Sequence, residues 1–255
     1  LQTATLGLAL TPDDPATSTV YTLECQIDGG PWFAVDGSNA TTCPVTGSAP
    51  SYTLSRSGLA EGDHSVSVRQ LKKVGSSAAT PSEVTTVVWT VDLTAPSAAG
   101  IDTRPVSPTN QTSAAFTFTA EGGTTLECRL DGGTWGACAS PYSGLAAGTH
   151  TLDVRAVDAA GNASAITTAT WVVDLVAPGA ATVSGAPAAV NADASATVSF
   201  TLTGDAVAAE CRLDGGTWAA CTSPFATGAI GEGSHTVQIR QIDAAGNVGS
   251  PSSVT

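Results

Sequence analysis

Apolar and polar residues alternate along many short stretches of this chain, as they do in β-strands with one buried face. Within residues 125–130, for example, Leu126, Cys128 and Leu130 fall on one face, and the residues between them are charged. Residues 150–157 alternate in the same way. No long window keeps the apolar rhythm of a helix, so the pattern predicts an all-β chain of short antiparallel strands.

One nine-residue pattern occurs three times, with Glu-Cys followed by Asp-Gly-Gly and then, two residues later, Trp. Its copies span residues 24–32, 127–135 and 210–218. A Gly-x-His block follows each copy, and the successive intervals between the three histidines are 86 and 85 residues; these are His64, His150 and His235. A period of this length is too long for a solenoid and predicts three tandem small domains.

Short Pro-containing junctions after Val91-Asp92 and Val173-Asp174 separate the repeats. The predicted domains are therefore residues 1–93, 94–175 and 176–255. Repeat one diverges and is expected to lack a leading strand equivalent to residues 99–106, whereas repeat three is expected to lack its final strand. Turn signals every few residues and about seven short strands per repeat predict an antiparallel β-sandwich.

Charge and hydrophobicity limit the classes of function that are expected. The 255 residues carry a formal charge of −13 and only nine Lys and Arg, so a nucleic-acid partner is not expected, since phosphate binding needs clustered cations. No apolar run approaches ~18 residues, so no membrane span is expected. The sequence starts at Leu1 without a Met or a charged leader, so any signal peptide or anchor is expected to lie outside it.

The six cysteines fall into one pair per repeat, which predicts local disulfides and an oxidising, extracellular setting. Zinc is the alternative, but it needs four ligands, and no second Cys/His pair has finger spacing. In the last two pairs the cysteines flank the Asp-Gly-Gly turn, so we expect them to face each other across a hairpin. The expected disulfides are Cys25–Cys43, Cys128–Cys138 and Cys211–Cys221.

The motifs Cys-x-Leu-Asp-Gly-Gly-x-Trp, Cys-x-Ser-Pro, Gly-x-His-Thr, Asp-x-Ala-Gly-Asn and Trp-x-Val-Asp, in this order, resemble bacterial Ig-like repeats of large secreted and surface proteins. The stretch 145–164 is also similar to fibronectin type III modules. The resemblance implies three tandem Ig-like or fibronectin III-like antiparallel β-sandwiches in an extended rod of about 110 Å, as in an adhesin stalk. Repeat one departs from it, because residues 71–75 replace the Asp-x-Ala-Gly-Asn motif.

Residues that could carry catalysis recur with the period instead of converging on one pocket, which is typical of a scaffold, so we expect no enzyme. The histidines are interpreted as structural, and the hairpin tryptophans as packing residues. Glutamate and arginine are expected to pair across neighbouring strands on the exposed face, in the pairs Glu24–Arg69, Glu127–Arg155 and Glu210–Arg240.

The acidic loops are the one candidate binding site. In an Ig-type sandwich the Asp-x-Ala-Gly-Asn loop lies near the preceding linker, where carboxylate, amide and backbone oxygens suit Ca²⁺. The competing interpretation is a plain turn in which Asp caps its own loop. No other cofactor is expected. The predicted ligand sets are Asp92 with Asp158 and Asn162, and Asp174 with Asp243 and Asn247.

The leading functional hypothesis is an extracellular structural spacer, a stalk or fibre shaft within a larger bacterial surface protein. Its partners would then be neighbouring repeats of the same or adjacent chains. One alternative is an adhesive module that binds a cell-surface glycan or host protein through repeat one, with its loop 36–42 and Lys72-Lys73. The other is a subunit of a self-assembling surface filament, in which edge strands are exchanged between chains.

Overall fold

A computed structural model describes residues 3–9, 19–35, 45–48, 51–188 and 194–255. Throughout these residues every regular element is a β-strand, and all the ladders between named strands are antiparallel. The all-β prediction is therefore confirmed. Residue pairs in contact divide the chain into two compact units, Leu1–Ala95 with Ala159–Asn162 and Pro96–Asp158 with Ala163–Thr255. The three-domain boundaries stay a prediction.

The strands are numbered in chain order. Those before residue 95 are β1 (Thr3–Ala9), β2 (Thr19–Ile27), β3 (Phe33–Ala34), β4 (Val45–Ser48), β5 (Ser51–Ser57), β6 (Gly62–Val74), β7 (Thr80–Pro81) and β8 (Thr85–Val91). The next are β9 (Gly100–Thr103), β10 (Ser113–Ala114), β11 (Thr117–Thr119), β12 (Thr125–Leu130), β13 (Gly136–Ala137), β14 (Tyr142–Ser143), β15 (Gly148–Val157) and β16 (Thr167–Val173). The last are β17 (Thr182–Gly185), β18 (Thr197–Thr201), β19 (Ala206–Leu213), β20 (Ala219–Cys221), β21 (Phe225–Ala226), β22 (Val237–Asp243) and β23 (Ser252–Val254).

Repeat two shows the architecture most clearly. Its larger sheet has the order β13-β12-β15-β16, and the short ladders β10–β14 and β9–β11 form the other layer. Along β15 every second residue is buried, as the alternation predicts. Leu152, Val154 and Trp171 are at most 1% exposed, and the Phe116 ring meets Trp171 edge-on at 5.2 Å. These side chains form the core of repeat two.

Repeat three follows the same order, with β20-β19-β22-β23 in the larger sheet and Val198 and Ile239 in its core. It also corrects one expectation. A short final strand forms at β23 and pairs with Val237–Ile239. The expectation was wrong because the pairing begins upstream of the position that the Trp-x-Val-Asp motif takes in the other repeats.

Repeat one has a larger sheet in which β3, β2 and β6 are successive neighbours and both β7 and β8 pair with β6. The other sheet has the order β1-β5-β4. Its described core is smaller, with Cys25, Leu54 and Val66 fully or almost fully buried. Loop 36–42 and Cys43 lie outside the described residues, so the Cys25–Cys43 disulfide stays a prediction.

The Asp-Gly-Gly hairpins turn within two residues. Asp131 and Gly132 both have positive φ, at 50° and 71°, as in a type I′ turn, and the Gly133 amide donates to the Leu130 carbonyl. The return strand then gains one irregular residue, so that Cys128 lies opposite Gly136. Cys138 is therefore diagonal to Cys128, not directly opposite it as predicted.

The diagonal arrangement still allows a local disulfide, because residues two apart share a face. Cys128 is bonded to Cys138 with a Cα–Cα distance of 4.8 Å. Cys211 is bonded to Cys221 in the same way, with a Cα–Cα distance of 5.7 Å. Each bond fastens a short return strand to the central strand of its own sheet.

Replacing Cys128 and Cys138 together by Ala should lower the unfolding free energy of repeat two by about 2–3 kcal/mol, the loop-closure value for so short a loop. Hydrogen exchange of repeat-two peptides across a denaturant series measures this, and repeat-three peptides from the same sample are the internal control. Equal loss in both repeats, or none in repeat two, would contradict the local role of the bond.

Candidate functional site

Each Asp-Gly-Gly turn is joined to the histidine of the same repeat. In repeat two His150 Nδ1 lies 2.7 Å from Asp131 Oδ2, and its Nε2 lies 2.9 Å from the carbonyl oxygen of Ala146. The other carboxylate oxygen of Asp131 accepts the Thr151 amide at 2.8 Å. We call this arrangement the aspartate–histidine clip, because it ties the turn to the start of β15.

The clip recurs with nearly the same geometry in all three repeats. Its other copies are Asp28 with His64 and Asp214 with His235, at Nδ1–Oδ2 distances of 2.9 and 2.7 Å. In every copy Nε2 faces the carbonyl oxygen of the residue four positions upstream, in Ala60, Ala146 or Gly231.

Both ring nitrogens of each clip histidine face oxygen acceptors, a carboxylate and a carbonyl. Both are satisfied at once only when the imidazole is protonated, because a neutral ring has one donor. The carbonyl of Ala146 and then the carboxylate of Asp131 raise the pKa of His150 above 6.5, against the opposing effect of burial. The hydrogen bond from His235 lowers the pKa of Asp214 below 3.8.

The clip also borders the core, since His150 stacks on Trp171 at 5.6 Å between ring centroids. The sequence correctly indicated that His150 is structural. It predicted Asp131 only as part of the hairpin turn and not as the partner of this histidine. The signal for the pairing was present, because an Asp precedes Gly-Gly in every copy and a His follows in every copy. In this arrangement Nε2, the ring nitrogen that a catalytic aspartate–histidine pair turns towards the reacting group, faces the carbonyl oxygen of Ala146.

A second recurring cluster lies on the outer face of the larger sheets. The guanidinium groups of Arg129 and Arg155 lie 4.6 and 4.3 Å from the ring centroid of Trp135, and those of Arg212 and Arg240 lie at 4.4 and 4.3 Å from Trp218. Such cation–π contacts are favourable when the charge lies over the ring face. These tryptophans are therefore held by arginines, as the packing interpretation expects.

Repeat one differs at this cluster. Arg69 lies 4.1 Å from the centroid of Trp32, but Gln26 takes the place of the second arginine and donates to the carbonyl of Gly30. The predicted cross-strand ion pairs are confirmed, with nitrogen–oxygen distances of 2.5–2.7 Å. These are Arg69–Glu24, Arg155–Glu127 and Arg240–Glu210.

The acidic loop of repeat three brings Asp174, Asp243 and Asn247 together. The Asn247 side-chain amide donates to the main-chain carbonyl of Asp174 and to Asp243 Oδ2, both at 2.8 Å. Asp243 Oδ1 accepts the backbone amide of Asn247 at 2.8 Å. Burial opposes ionisation of Asp243, but its hydrogen bonds to Asn247 and to the amides of Gly246 and Ala245 lower its pKa below 3.8. Asp243 thus caps its own loop, as the plain-turn interpretation states.

The same region contains a third carboxylate, Asp205, which is not among the predicted ligands. Oxygen atoms of Asp174, Asp205 and Asp243 lie within 4.8 Å of one another, and no other such triad is found in the described part of the chain. Asp205 is exposed and lies in the turn between β18 and β19. It has no counterpart in the repeated motifs, so the period could not point to it. Carboxylate oxygens are ligands that suit Ca²⁺.

The other predicted ligand set is arranged differently. Asn162 Nδ2 donates to the main-chain carbonyl of Asp92 at 3.0 Å, as Asn247 does to Asp174, and the Asp92 carboxylate accepts the Thr94 amide. Glu121 lies near Asp158, and its carboxylate accepts a hydrogen bond from the Ser97 amide. This hydrogen bond lowers the pKa of Glu121, whereas the negative charge of Asp158 acts to raise it. Ca²⁺ binding at this set stays a prediction.

No protein-family model matches the chain, and no curated protein matches it. Among solved structures, the chain is similar to the FN1-FN3 domains of chicken CNTN1, with 11% identity, a TM-score of 0.40 and coverage of 99% of this chain and 93% of that one. It is also similar to the fibronectin(III)-like modules of Clostridium thermocellum CbhA, with 17% identity, a TM-score of 0.34 and coverage of 68% and 86%. At such scores the likeness carries no inference about function. The described residues include no helix that is long and apolar enough to cross a membrane.

The clip makes stability depend on pH. Because the pKa of each clip histidine is raised in the folded chain, the clip contributes fully below pH 6.5, and its contribution is lost as the pH rises through the folded pKa. The midpoint temperature of thermal unfolding should therefore decrease as the pH rises above 6.5. In the variant with His64→Gln, His150→Gln and His235→Gln this part of the slope should disappear. A wild-type midpoint that stays constant or rises with pH in this range would contradict a protonated clip.

Proposed function

We propose that this chain is an extracellular structural spacer, a segment of a stalk or shaft that holds another part of a larger bacterial surface protein at a distance. The observation that carries the proposal is the set of hydrogen bonds between the end of repeat two and the loops of repeat three within the second compact unit. A spacer needs junctions that resist bending, and specific backbone contacts provide that resistance better than a flexible linker does.

Two hydrogen bonds join the two repeats here. The Asn110 amide donates to the carbonyl of Ala245 at 3.1 Å, and the Asn247 side chain donates to the carbonyl of Asp174. Within repeat three, the backbone of Gly249 lies against the start of the repeat, so that a side chain at position 249 would come within 2.4 Å of the Pro178 carbonyl oxygen. Only glycine allows the two backbone segments to approach this closely at position 249.

The location outside the cell is supported by the two disulfides, which persist in oxidising compartments and are rare in the cytosol. The role as a scaffold is supported by the use of the polar residues. Clip histidines, sheet-face arginines and their carboxylate partners hold one another in each repeat. The proposal assigns no catalytic step to them.

The tryptophans on the outer faces of the larger sheets support the adhesive alternative less than the spacer. A sugar binds a tryptophan through its ring face, and two guanidinium groups already stack on Trp135 and on Trp218. Trp32 has a single stacked guanidinium among the described residues, so repeat one is the place where this alternative survives.

X-ray scattering in solution tests the spacer directly. A rod of about 110 Å has a radius of gyration of roughly 32 Å, whereas a compact chain of this length has about 18 Å. We expect the larger value at every concentration. The variant Asn247→Ala should keep its strands but broaden the distribution of lengths, because the junction loses its side-chain bond. A radius near the compact value would contradict the spacer.

We further propose that Ca²⁺ binds at the triad of Asp174, Asp205 and Asp243 and stiffens the junction. The proposal is supported by the closeness of three carboxylates, since a divalent cation would relieve their mutual repulsion. Asp205 is exposed, so the ion could enter from solvent. Extracellular sites of this kind bind at about 0.1–1 mM.

Calcium should raise the melting temperature of the second unit, by an amount equivalent to ~2.7 kcal/mol at a hundredfold excess over Kd. Calorimetry with Ca²⁺ and with a chelator measures it. Asp205→Asn should abolish the response, because Asp205 can be changed without disturbing the bonds of Asp243. Glu232→Gln, an exposed acid of the same repeat, is the control and should leave the response intact. If Ca²⁺ leaves the wild-type melting unchanged, the loop is only a turn.

A further inference from the structure

Each clip aspartate is followed directly by a glycine, in the pairs Asp28-Gly29, Asp131-Gly132 and Asp214-Gly215. In repeat two this pair is the turn itself, with φ of 50° at Asp131 and 71° at Gly132. A glycine at the second position takes this conformation without steric cost. The turn therefore brings the Asp-Gly sequence with it, and this sequence is the aspartyl bond that rearranges most readily, because glycine has no side chain to crowd the reaction.

Rearrangement of an Asp-Gly bond begins when the glycine backbone nitrogen attacks Cγ of the aspartate. The N–Cγ bond forms, the nitrogen loses its proton and one carboxyl oxygen leaves as water, which gives a cyclic succinimide. Water then adds to the former main-chain carbonyl and breaks the bond from that carbon to the nitrogen. The product is isoaspartate, in which the main chain runs through Cβ and Cγ. One water is released and one is taken up, so the mass does not change.

The attacking nitrogen is accessible in all three turns. Gly29, Gly132 and Gly215 are exposed, and apart from their chain neighbours no atom lies within 4 Å of the place that a Cβ would occupy. Within the described parts of the chain, the amides of these glycines make no hydrogen bond. Nothing on the glycine side therefore prevents the attack.

Burial does not protect the carboxyl groups either. The side chains of Asp28, Asp131 and Asp214 are 42–44% exposed, so water reaches each of them. Their reactivity is therefore decided by the hydrogen bonds that hold them.

The clip holds both oxygens of each carboxylate. In repeat two, Asp131 Oδ2 lies 2.7 Å from His150 Nδ1, and Asp131 Oδ1 accepts the Thr151 amide at 2.8 Å. Both partners belong to β15, so the carboxylate is fixed to the neighbouring strand. Ring closure brings Cγ within bonding distance of the Gly132 nitrogen, and this movement requires both hydrogen bonds to break.

The other two repeats hold their carboxylates in the same way. Asp28 accepts the Ser65 amide and Asp214 accepts the Thr236 amide, both at 2.7 Å. An ionised carboxylate also reacts slowly, because its oxygen must be protonated before it can leave as water. The hydrogen bonds from His235 and then from the Thr236 amide lower the pKa of Asp214, and so favour its ionised form.

We propose that the three Asp-Gly bonds of the turns are sites of isoaspartate formation and that the aspartate–histidine clip suppresses this reaction in the folded chain. Isomerisation at Asp131 converts its side-chain carboxyl group into the main-chain amide, so the clip to His150 cannot form again afterwards. This inference goes beyond the spacer proposal and depends neither on it nor on Ca²⁺.

The first test compares the full chain with a synthetic peptide of residues 129–136, aged together in one buffer. Fragmentation mass spectrometry of the digested samples measures the isoaspartate fraction at Asp131. A group held by hydrogen bonds reacts only through an opened state, so its rate falls by the opening equilibrium constant. We expect isomerisation in the chain to be at least about tenfold slower than in the peptide. Equal rates would overturn the proposal without the need for any variant.

The second test removes one clip. In the variant His150→Ala the rate at Asp131 should rise towards that of the peptide, whereas the rate at Asp214, whose clip is intact, should stay at its wild-type value. Val154→Ala is the matched control for a loss of stability, since Val154 is fully buried on the same strand and is not part of the clip. In this control the rate at Asp131 should remain as slow as in the wild type.

Two results would count against the clip as the protecting contact. One is a folded His150→Ala variant that isomerises no faster at Asp131 than the wild type. The other is a Val154→Ala variant in which the rate rises as much as in His150→Ala, since global stability would then be the cause. If hydrogen exchange shows that repeat two of His150→Ala is unfolded, His235→Ala makes the same comparison at Asp214, with Asp131 as its internal control.

Discussion

The hydrogen bond between the turn aspartate and the histidine is the interaction on which the rest of each repeat depends. It requires Asp131 at positive φ, and this conformation sets the tight turn between β12 and its return strand. This hairpin fixes the register between β12 and its return strand, and with this register the Cys128–Cys138 disulfide is diagonal. The same register places Trp135 near two arginines. On its other side, His150 stacks on Trp171 and so links the turn to the core. One polar contact thereby connects the surface, the hairpin and the core.

Polar side chains in this chain mainly join backbone segments to one another. Asn247 and Asn162 each bond a main-chain carbonyl of the preceding linker, and the clip histidines each bond a main-chain carbonyl upstream. A protein with few charged residues and small cores gains order from such contacts, since each fixes two segments that apolar packing alone leaves loosely held. Repetition of the contacts explains how divergent repeats keep one architecture.

The three-fold repeat of the sequence explains which features could be predicted and which were missed. Features present in every copy, such as the strands, the histidine position and the Glu–Arg pairs, were visible because the period repeats them. Asp205 was missed because it occurs once. The cysteine register was wrong by two residues, because counting placed the centre of the hairpin midway between the two cysteines, at Gly133, whereas the turn residues are Asp131 and Gly132. Stacking of arginines on tryptophan depends on side-chain rotamers, and no spacing rule in the sequence encodes it.

The central claim is that the clip histidine is a protonated structural group. The direct test is an NMR titration of the His150 imidazole, which reports both its pKa and the protonation of each ring nitrogen. We expect a pKa above the usual 6.5 of histidine, because the Ala146 carbonyl and the Asp131 carboxylate both accept from the protonated ring. A pKa of 6.5 or below would contradict the account.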